Sequence, residues 1–370
     1  MTTHVLPGLV DSHSHAFHRA LRGRAPGGDF WAWRDEMYAM VARLDPESYL
    51  ALATAAFAEM VLAGITTVHE FHYLHEPAEM DDAICEAARR AGIRLVLLDT
   101  CYLRAGFEGT LLDSVQARFS DGDVEAWAAR ADKVAARNPD ITVGAAIHSV
   151  RAVDPASMEL VAEWARARDV PLHIHLSEQP AENAACLEAT GRTPTHLAHE
   201  CGVLGASTTA VHCTHVTDHD IELLGSTGTT VCLCPTTERD LADGIGPAQA
   251  LMGAGCELRV GCDSHAVVDL FEEVRAVEAD ERLAVGRRGI FSPASLLAMA
   301  TGTRDRCVLD LDSVRLAGVD VKDPVPMIAA AATAADVVEV DIEGRAVVRD
   351  REHVSIDVAA ELRRVIASLF

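Results

Sequence analysis

Lysine is almost missing from this chain, since Lys133 and Lys322 are the only two among 32 basic residues. Chemistry that depends on a lysine side chain therefore has two candidates at most. No apolar run reaches the roughly 20 residues that a membrane-spanning helix needs. Basic residues are also outnumbered by 56 acidic ones, which gives a net charge of −24. A surface this acidic repels nucleic acid and anionic membranes, so we expect neither as a partner.

Cysteine is present, but the spacing that makes cysteine a redox or metal motif is missing, because no two of the ten cysteines form a CxxC pair. Most of them stand in apolar runs of the kind that form strands and helices, where a thiol is usually a small core residue. The sequence also begins without the pattern of a secretory signal peptide. We therefore expect reduced, buried cysteines in a cytoplasmic protein.

Short apolar runs alternate with longer amphipathic ones up to about residue 300. Eight such β-then-α units in one series predict an α/β fold, the closed (β/α)8 or TIM barrel. Asp45-Pro46 and Asp154-Pro155 support two helix starts, because a capping aspartate precedes proline in the first turn. We assign residues 1–305 to this barrel. The predicted strands are Val5–Val10, Thr66–His72, Arg94–Asp99, Thr142–His148, Pro171–His175, Thr209–His212, Thr230–Cys234 and Leu258–Cys262.

Residues that can bind a metal end or follow four of these strands. His13 and His15 follow the first strand, and an extended segment directs side chains at i and i+2 to the same face. His175 ends the fifth strand, His212 ends the sixth, and Asp263 follows the eighth. Barrels of this kind build their active sites at the C-terminal ends of the strands. The pattern predicts a divalent metal site at this rim, with His13, His15, His175 and Asp263 among the candidate ligands.

This set of strand-end residues resembles the amidohydrolase superfamily, in its single-metal deaminase branch. Binuclear relatives carry a carboxylated lysine at the end of the fourth strand, where this chain has His148. One ion is therefore expected, either Zn²⁺ or Fe²⁺, which use similar ligands. The resemblance implies that the ion activates water. Asp263 would take a proton from that water, His212 would stabilise the oxyanion, and Glu178 would carry a proton to the leaving nitrogen.

Longer segments, FWAWR from Phe30 and EFHYLH from Glu70, resemble the formimidoylglutamate deiminase family. The resemblance implies hydrolysis of N-formimidoyl-L-glutamate to N-formyl-L-glutamate and ammonia, in histidine degradation. A substrate with two carboxylates needs local cations in so acidic a protein, and Arg34 and Arg151 suit that role because a guanidinium grips a carboxylate with two bonds. The substrate contacts of the family correspond here to His18, where many members have glutamine, and to Arg34, Tyr73, His148 and Arg151.

The end of the chain departs from the barrel pattern, and residues 306–370 are assigned to an appendage. Two short strands, Val337–Val340 and Arg345–Arg349, are predicted around a turn at Glu343-Gly344, with a helix over Val358–Leu369. Members of the family have a longer β-sandwich segment before the first histidine pair, whereas a dozen residues precede His13 here. We therefore expect an incomplete small β-sandwich whose strands have unpaired edges.

Two other functions stay open on the sequence alone. A sister deaminase would act on a ring amidine such as guanine or a related base, and would show aromatic pocket walls without paired arginines. A decayed barrel that only binds ligands would contain little metal. By analogy with barrels of this family, we also expect a homodimer that acts on a small molecule with carboxylates.

Overall fold

Parallel β-strands form a barrel at the centre of the protein, and helices cover its outer face. The computed structural model describes residues 2–25 and 27–370, with the backbone alone for residue 303. The strand LHIHL is buried at every position, as expected where a parallel strand is covered on both faces. The strands are β1 Thr3–Ser14, β2 Ile65–His72, β3 Arg94–Cys101, β4 Thr142–Ile147, β5 Leu172–Leu176, β6 Thr208–His212, β7 Thr230–Leu233, β8 Leu258–Val260, β9 Thr301–Asp310, β10 Val337–Ile342, β11 Arg345–Arg349 and β12 Glu352–His353.

The strands β1 to β8 pair in parallel and in chain order. Between β8 and β1 the contact is a single parallel bridge, from Ser14 to Asp263, rather than a continuous ladder. The predicted (β/α)8 fold is confirmed, and every predicted barrel strand overlaps an observed one. Because the strands run in one direction, their C-terminal ends meet at one rim of the barrel.

Helices follow every barrel strand, and several begin at the predicted caps. The Asp45 carboxylate accepts from the Ser48 amide at 2.8 Å. Three helices that the sequence pattern did not predict follow β1, β5 and β7 at the rim. The helices are α1 Phe30–Val41, α2 Pro46–Leu62, α3 Glu79–Ala91, α4 Val124–Arg137, α5 Pro155–Arg168, α6 Pro180–Thr190, α7 Pro194–Glu200, α8 Asp218–Thr227, α9 Pro235–Asp240, α10 Ala248–Gly253, α11 Leu270–Val285, α12 Pro293–Ala300, α13 Val325–Ala331 and α14 Val358–Leu369; the unpredicted rim helices are α1, α6 and α9.

The appendage continues the barrel sheet, because β9 pairs antiparallel with the first half of β1 and with β10. The prediction of unpaired edges is wrong for the edge of β10 that faces β9. It failed because β9 was not predicted from the sequence, and this strand lies between β10 and the start of β1. The hairpin from β10 to β11 turns at Glu343 and Gly344, which both have positive φ, as a tight hairpin requires. The predicted boundary after residue 305 falls inside β9, and the division into two units stays a prediction.

Buried thiols contribute to the core of the barrel. Within the described residues the ten cysteines are all buried and none is in a disulfide. Burial raises the pKa of Cys201 and Cys256 to about 11, so these thiols stay protonated and unreactive.

Among the helices of residues 2–25 and 27–370, none combines the length and the apolar character needed to cross a membrane.

Candidate active site

Backbone hydrogen bonds fasten the end of β1 to the residues after β8. The Asp263 amide donates to the His13 carbonyl at 2.9 Å, and the His15 amide donates to the Asp263 carbonyl at 3.1 Å. The buried carboxylate of Asp11 accepts from the His13 amide at 3.1 Å and from the Cys262 amide at 3.2 Å. The three predicted ligands on these two segments are therefore held in a fixed relative position.

Gly261 is the residue of this junction where one added methyl group should disturb the structure. In Gly261→Ala the new Cβ would lie 2.6 Å from the His13 carbonyl oxygen, a backbone atom that cannot swing away. We expect the free energy of unfolding to fall by about 1–3 kcal/mol, measured by urea denaturation. Gly205→Ala is the matched control, because no described atom lies within 4 Å of its added Cβ. A Gly261→Ala protein as stable as this control would contradict the expectation.

The four predicted metal ligands meet around His13. Its Nε2 lies 3.1 Å from His175 Nε2 and 3.4 Å from Asp263 Oδ1. His15 Nε2 lies 3.5 Å from the same carboxylate oxygen. Two overlapping groups have ligand atoms within 4.8 Å of one another, His13 with His15 and Asp263, and His13 with His175 and His212. The structure therefore brings the four predicted ligands together and places His212 beside them.

Hydrogen bonds to the backbone decide which nitrogen of two imidazoles is free. His15 Nδ1 donates to the Phe71 carbonyl at 2.9 Å, and His175 Nδ1 donates to the His148 carbonyl at 3.0 Å, because a carbonyl can only accept. Burial lowers the pKa of both rings well below the usual value, and it lowers that of His13 as well. Neutral rings with free Nε2 lone pairs, together with one carboxylate, are donors that suit Zn²⁺.

Two residues of the cluster occupy the left-handed backbone region. His212 has a φ of 72° and Asp263 a φ of 43°. This region costs a residue with a Cβ of order 1–3 kcal/mol, and such strain concentrates at functional sites. At Asp263 the hydrogen bonds to β1 hold the conformation. The tertiary structure, and not the local backbone preference of these residues, therefore sets the positions of the two side chains.

His212 lies among three carboxylates. Its Nδ1 is 3.4 Å from Glu238 Oε1, whereas its Nε2 is 3.8 Å from Glu178 Oε1 and 3.9 Å from Asp263 Oδ2. Burial alone would lower the pKa of His212, but the carboxylates raise it well above the usual value. Glu238 also accepts from the Cys234 amide at 2.9 Å, which holds this carboxylate in place against the ring. His212 therefore directs a charged N–H toward the space between Glu178 and Asp263.

Glu178 and Asp263 have pKa values that move in opposite directions. Burial raises the pKa of Glu178 to about 7, against the opposing charge of His212. Burial also acts on Asp263, but hydrogen bonding with His13 and the positive charge of His212 hold its pKa below the usual range. A carboxyl group with a pKa near 7 can give and take a proton at neutral pH. Two carboxyl groups separated in this way can divide acid and base roles.

One pocket at this rim contains all five predicted substrate-binding residues. The same pocket is lined by His15, His175 and Asp263, so it opens onto the predicted metal ligands, and by Glu178 and His212. The sequence predicts that the strand-end residues gather at one rim, whereas the cavity that they share with the predicted substrate-binding residues is visible only in the folded structure. The five predicted residues on its wall are His18, Arg34, Tyr73, His148 and Arg151.

Arg34 and Arg151 reach the pocket from different elements. Arg34 lies on α1, where its guanidinium carbon is 4.7 Å from the centre of the Trp31 ring. Arg151 follows β4, and its Nε is 3.7 Å from Glu182 Oε1. Both Nε atoms are buried, and neither makes a hydrogen bond within the part of the chain that the structure describes. Two guanidinium groups with spare donors therefore face this pocket, where they can bind anionic groups.

His18, Tyr73 and His148 supply neutral polar groups to the pocket. His18 Nε2 and the Tyr73 hydroxyl are 3.0 Å apart and share a hydrogen bond. Burial lowers the pKa of His18 to about 3. Burial and the charge of Arg151 keep the pKa of His148 well below its usual value. A neutral imidazole has one N–H donor, so His18 can donate a hydrogen bond.

Four buried polar residues near the site were not identified from the sequence: Glu182, Glu238, Glu70 and Ser14. The Ser14 hydroxyl donates to Glu70 at 2.7 Å and lies 2.8 Å from His265 Nε2. These contacts tie the end of β1 to β2 and to the segment after β8. Ser14 stands between His13 and His15, and Glu70 is the first residue of the EFHYLH segment. Their positions within these two motifs could have identified them from the sequence.

A family model and several known proteins match this chain over most of its length. A model of the amidohydrolase family matches residues 4–304. The formimidoylglutamate deiminase of Pseudomonas aeruginosa is 38% identical over 295 residues, which are 75% of this chain and 65% of that protein's length. The 5-methylthioadenosine/S-adenosylhomocysteine deaminase of Halobacterium salinarum is 30% identical over 96% of this chain and 84% of its own. The crystal structure of an amidohydrolase from Brucella melitensis superposes with a TM-score of 0.89 and 28% identity, over 99% of this chain and 89% of that chain.

Proposed function

Because the chain belongs to the amidohydrolase family, we propose that it is a metal-dependent deaminase. Its reaction is the hydrolysis of N-formimidoyl-L-glutamate by water to N-formyl-L-glutamate and ammonia. The observation that carries this proposal is the pair of guanidinium groups, Arg34 and Arg151, whose buried Nε donors make no hydrogen bond among the described residues. They line the pocket that opens onto the ligand cluster. A substrate with two carboxylates would satisfy both, and the 38% identity with the Pseudomonas aeruginosa enzyme supports the same substrate.

We propose that His13, His15, His175 and Asp263 hold one divalent cation, Zn²⁺, with Fe²⁺ as the alternative. The fit rests on neutral imidazoles, the free Nε2 lone pairs of His15 and His175, and an ionised carboxylate within 3.5 Å of two rings. A bound Zn²⁺ supplies Lewis acidity, which lowers the pKa of a water molecule toward neutrality. Elemental analysis of protein purified without chelator identifies the metal.

Three residues of the chain would manage the protons. Asp263 would accept a proton from the attacking water. Glu178, with a pKa of about 7, would carry a proton to the departing nitrogen, which leaves as ammonia once protonated. His212 would donate its Nε2–H to the negative charge that develops on the attacking oxygen. Each of these groups lines the pocket.

The test of the proposed function is ammonia release from N-formimidoyl-L-glutamate in the presence of Zn²⁺. We expect steady turnover by the wild-type chain and none above background by His13→Ala, because His13 is common to both groups of ligand atoms. His219→Ala is the matched control, since the His219 side chain is 62% exposed. Wild-type turnover no faster than that of His13→Ala would overturn the proposal.

The aromatic lining of the pocket favours a second candidate function. Phe30, Trp33, Tyr38 and Phe119 contribute to its wall, and such a wall also suits a flat ring. The second candidate is deamination of a ring amidine in a purine base, and the Halobacterium salinarum relative is named for a substrate of this type. Comparing kcat/KM for 5-methylthioadenosine and N-formimidoyl-L-glutamate decides between them, since the preferred substrate class has the larger value.

A further inference from the structure

Glu182 is a pocket carboxylate that the proposed reaction does not use. It lies on α6, four residues after Glu178, and its side chain is 7% exposed. Its Oε1 is buried and has no hydrogen-bond partner in residues 2–25 and 27–370. Arg151 Nε, which also lacks a partner there, is 3.7 Å away, too far for a direct hydrogen bond. A buried acceptor and a buried donor therefore stand side by side on the pocket wall.

The two side chains form an ion pair at this distance, but each keeps a buried polar atom without a hydrogen bond, and such unsatisfied atoms are costly. A ligand removes that cost if it presents an anionic oxygen to Arg151 and an N–H to Glu182. The two ligand groups must lie close together, since the two protein atoms do. An α-carbon that bears a carboxylate and a nitrogen with one hydrogen has this arrangement.

We propose that Glu182 recognises the α-nitrogen of the substrate by accepting its N–H, while Arg151 binds the α-carboxylate. The inference rests on the proposed function, because N-formimidoyl-L-glutamate carries both groups on one carbon. Arg34, which enters from α1, is then left for the second carboxylate. Glu182 then selects amidines whose retained nitrogen still carries a hydrogen.

The order of the two glutamates along the chain agrees with this assignment. An amidine carbon has two nitrogens, of which one leaves as ammonia and the other stays bound to the α-carbon. In the proposed reaction Glu178 carries a proton to the leaving nitrogen, and Glu182 accepts a hydrogen bond from the retained one. Glu178 lies just before α6 and Glu182 lies in its first turn, and both line the same pocket, so each can serve one of two nitrogens attached to the same carbon.

The test compares the binding of two ligands to the zinc-loaded protein by calorimetry. One is N-formyl-L-glutamate, which keeps the N–H, and the other is N-formyl-N-methyl-L-glutamate, which lacks it. We expect N-methylation to weaken binding to the wild type about tenfold or more, the usual worth of a hydrogen bond to a charged group. In Glu182→Gln, which keeps the shape but not the charge, we expect this penalty to fall to about threefold or less.

The isosteric variant separates a hydrogen bond from a steric clash, because a clash with the added methyl group would be the same in Glu182→Gln. Glu188→Gln, on the exposed side of α6, is the matched control and should keep the full wild-type penalty. Equal penalties in the wild type and Glu182→Gln would overturn this inference and leave the proposed function standing. Binding of neither ligand to the wild type would overturn both.

Discussion

Replacing Glu178 with glutamine is expected to lower kcat by about 10²- to 10⁴-fold, the usual contribution of a positioned proton-transfer group. Glutamine has nearly the shape of glutamate and can stay beside His212, 3.8 Å away in the structure, but it cannot carry a proton. Arg34 and Arg151 are untouched, so KM should stay within about threefold of the wild-type value. Steady-state ammonia release with N-formimidoyl-L-glutamate measures both constants.

Glu188→Gln is again the matched control for Glu178→Gln, because the same change is made on the exposed face of the helix that follows. Metal content should be equal in both variants, since Glu178 is not among the predicted ligands. A Glu178→Gln protein that keeps the wild-type kcat would remove Glu178 from the mechanism. A parallel loss of metal would show that the residue acts on the ligand cluster and not on proton transfer.

His175→Ala is expected to lower zinc affinity by more than about 100-fold, beyond the 10- to 100-fold that the loss of an outer-sphere partner costs. His175 Nδ1 donates to the His148 carbonyl, so the Nε2 lone pair is free to bind a metal. This Nε2 lies 3.1 Å from His13 Nε2, within the cluster of predicted ligands. Alanine removes one of four donors and leaves the others unable to complete the coordination. Competition against a chromophoric chelator measures the affinity, and ammonia release should fall to background.

Zinc-dependent stability provides a second measurement on His175→Ala. At a free zinc concentration of 100 times Kd, the wild type should gain about 2.7 kcal/mol in the free energy of unfolding. The variant should gain almost nothing at that concentration, whereas His219→Ala should behave as the wild type. Zinc binding with unchanged affinity would mean that His175 is not a ligand. His212, the third member of the group with His13 and His175, would then be the candidate to replace it.

The strand ends could be predicted because their signals are local. His13 and His15 are two residues apart on an extended segment, and His175, His212 and Asp263 each end or follow a short apolar run. Strand direction in a parallel barrel then places all of them at one rim. The structure agrees on this placement, and their roles as ligands stay a prediction until metal binding is measured.

The surroundings of the site were harder to predict, because the rim helices α1, α6 and α9 were not predicted, and α1 and α6 contribute to the pocket wall. Glu182 and Glu238 lie on two of them, where short polar sequences resemble solvated surface. Burial, and not residue type, distinguishes these glutamates from Glu188, which is exposed on α6. Arg34 could be identified only through the resemblance of its FWAWR segment to a family.

The sequence by itself determined the fold class, the order of the strands and the rim at which the histidines and Asp263 gather. These follow from hydrophobic periodicity and from the spacing of neighbouring residues. The tertiary structure alone decided which imidazole nitrogens are free, through the carbonyls of Phe71 and His148. It also decided that Glu182 stands beside Arg151. Hydrogen bonding and desolvation depend on groups far apart in the chain, and no local pattern records which of them will meet.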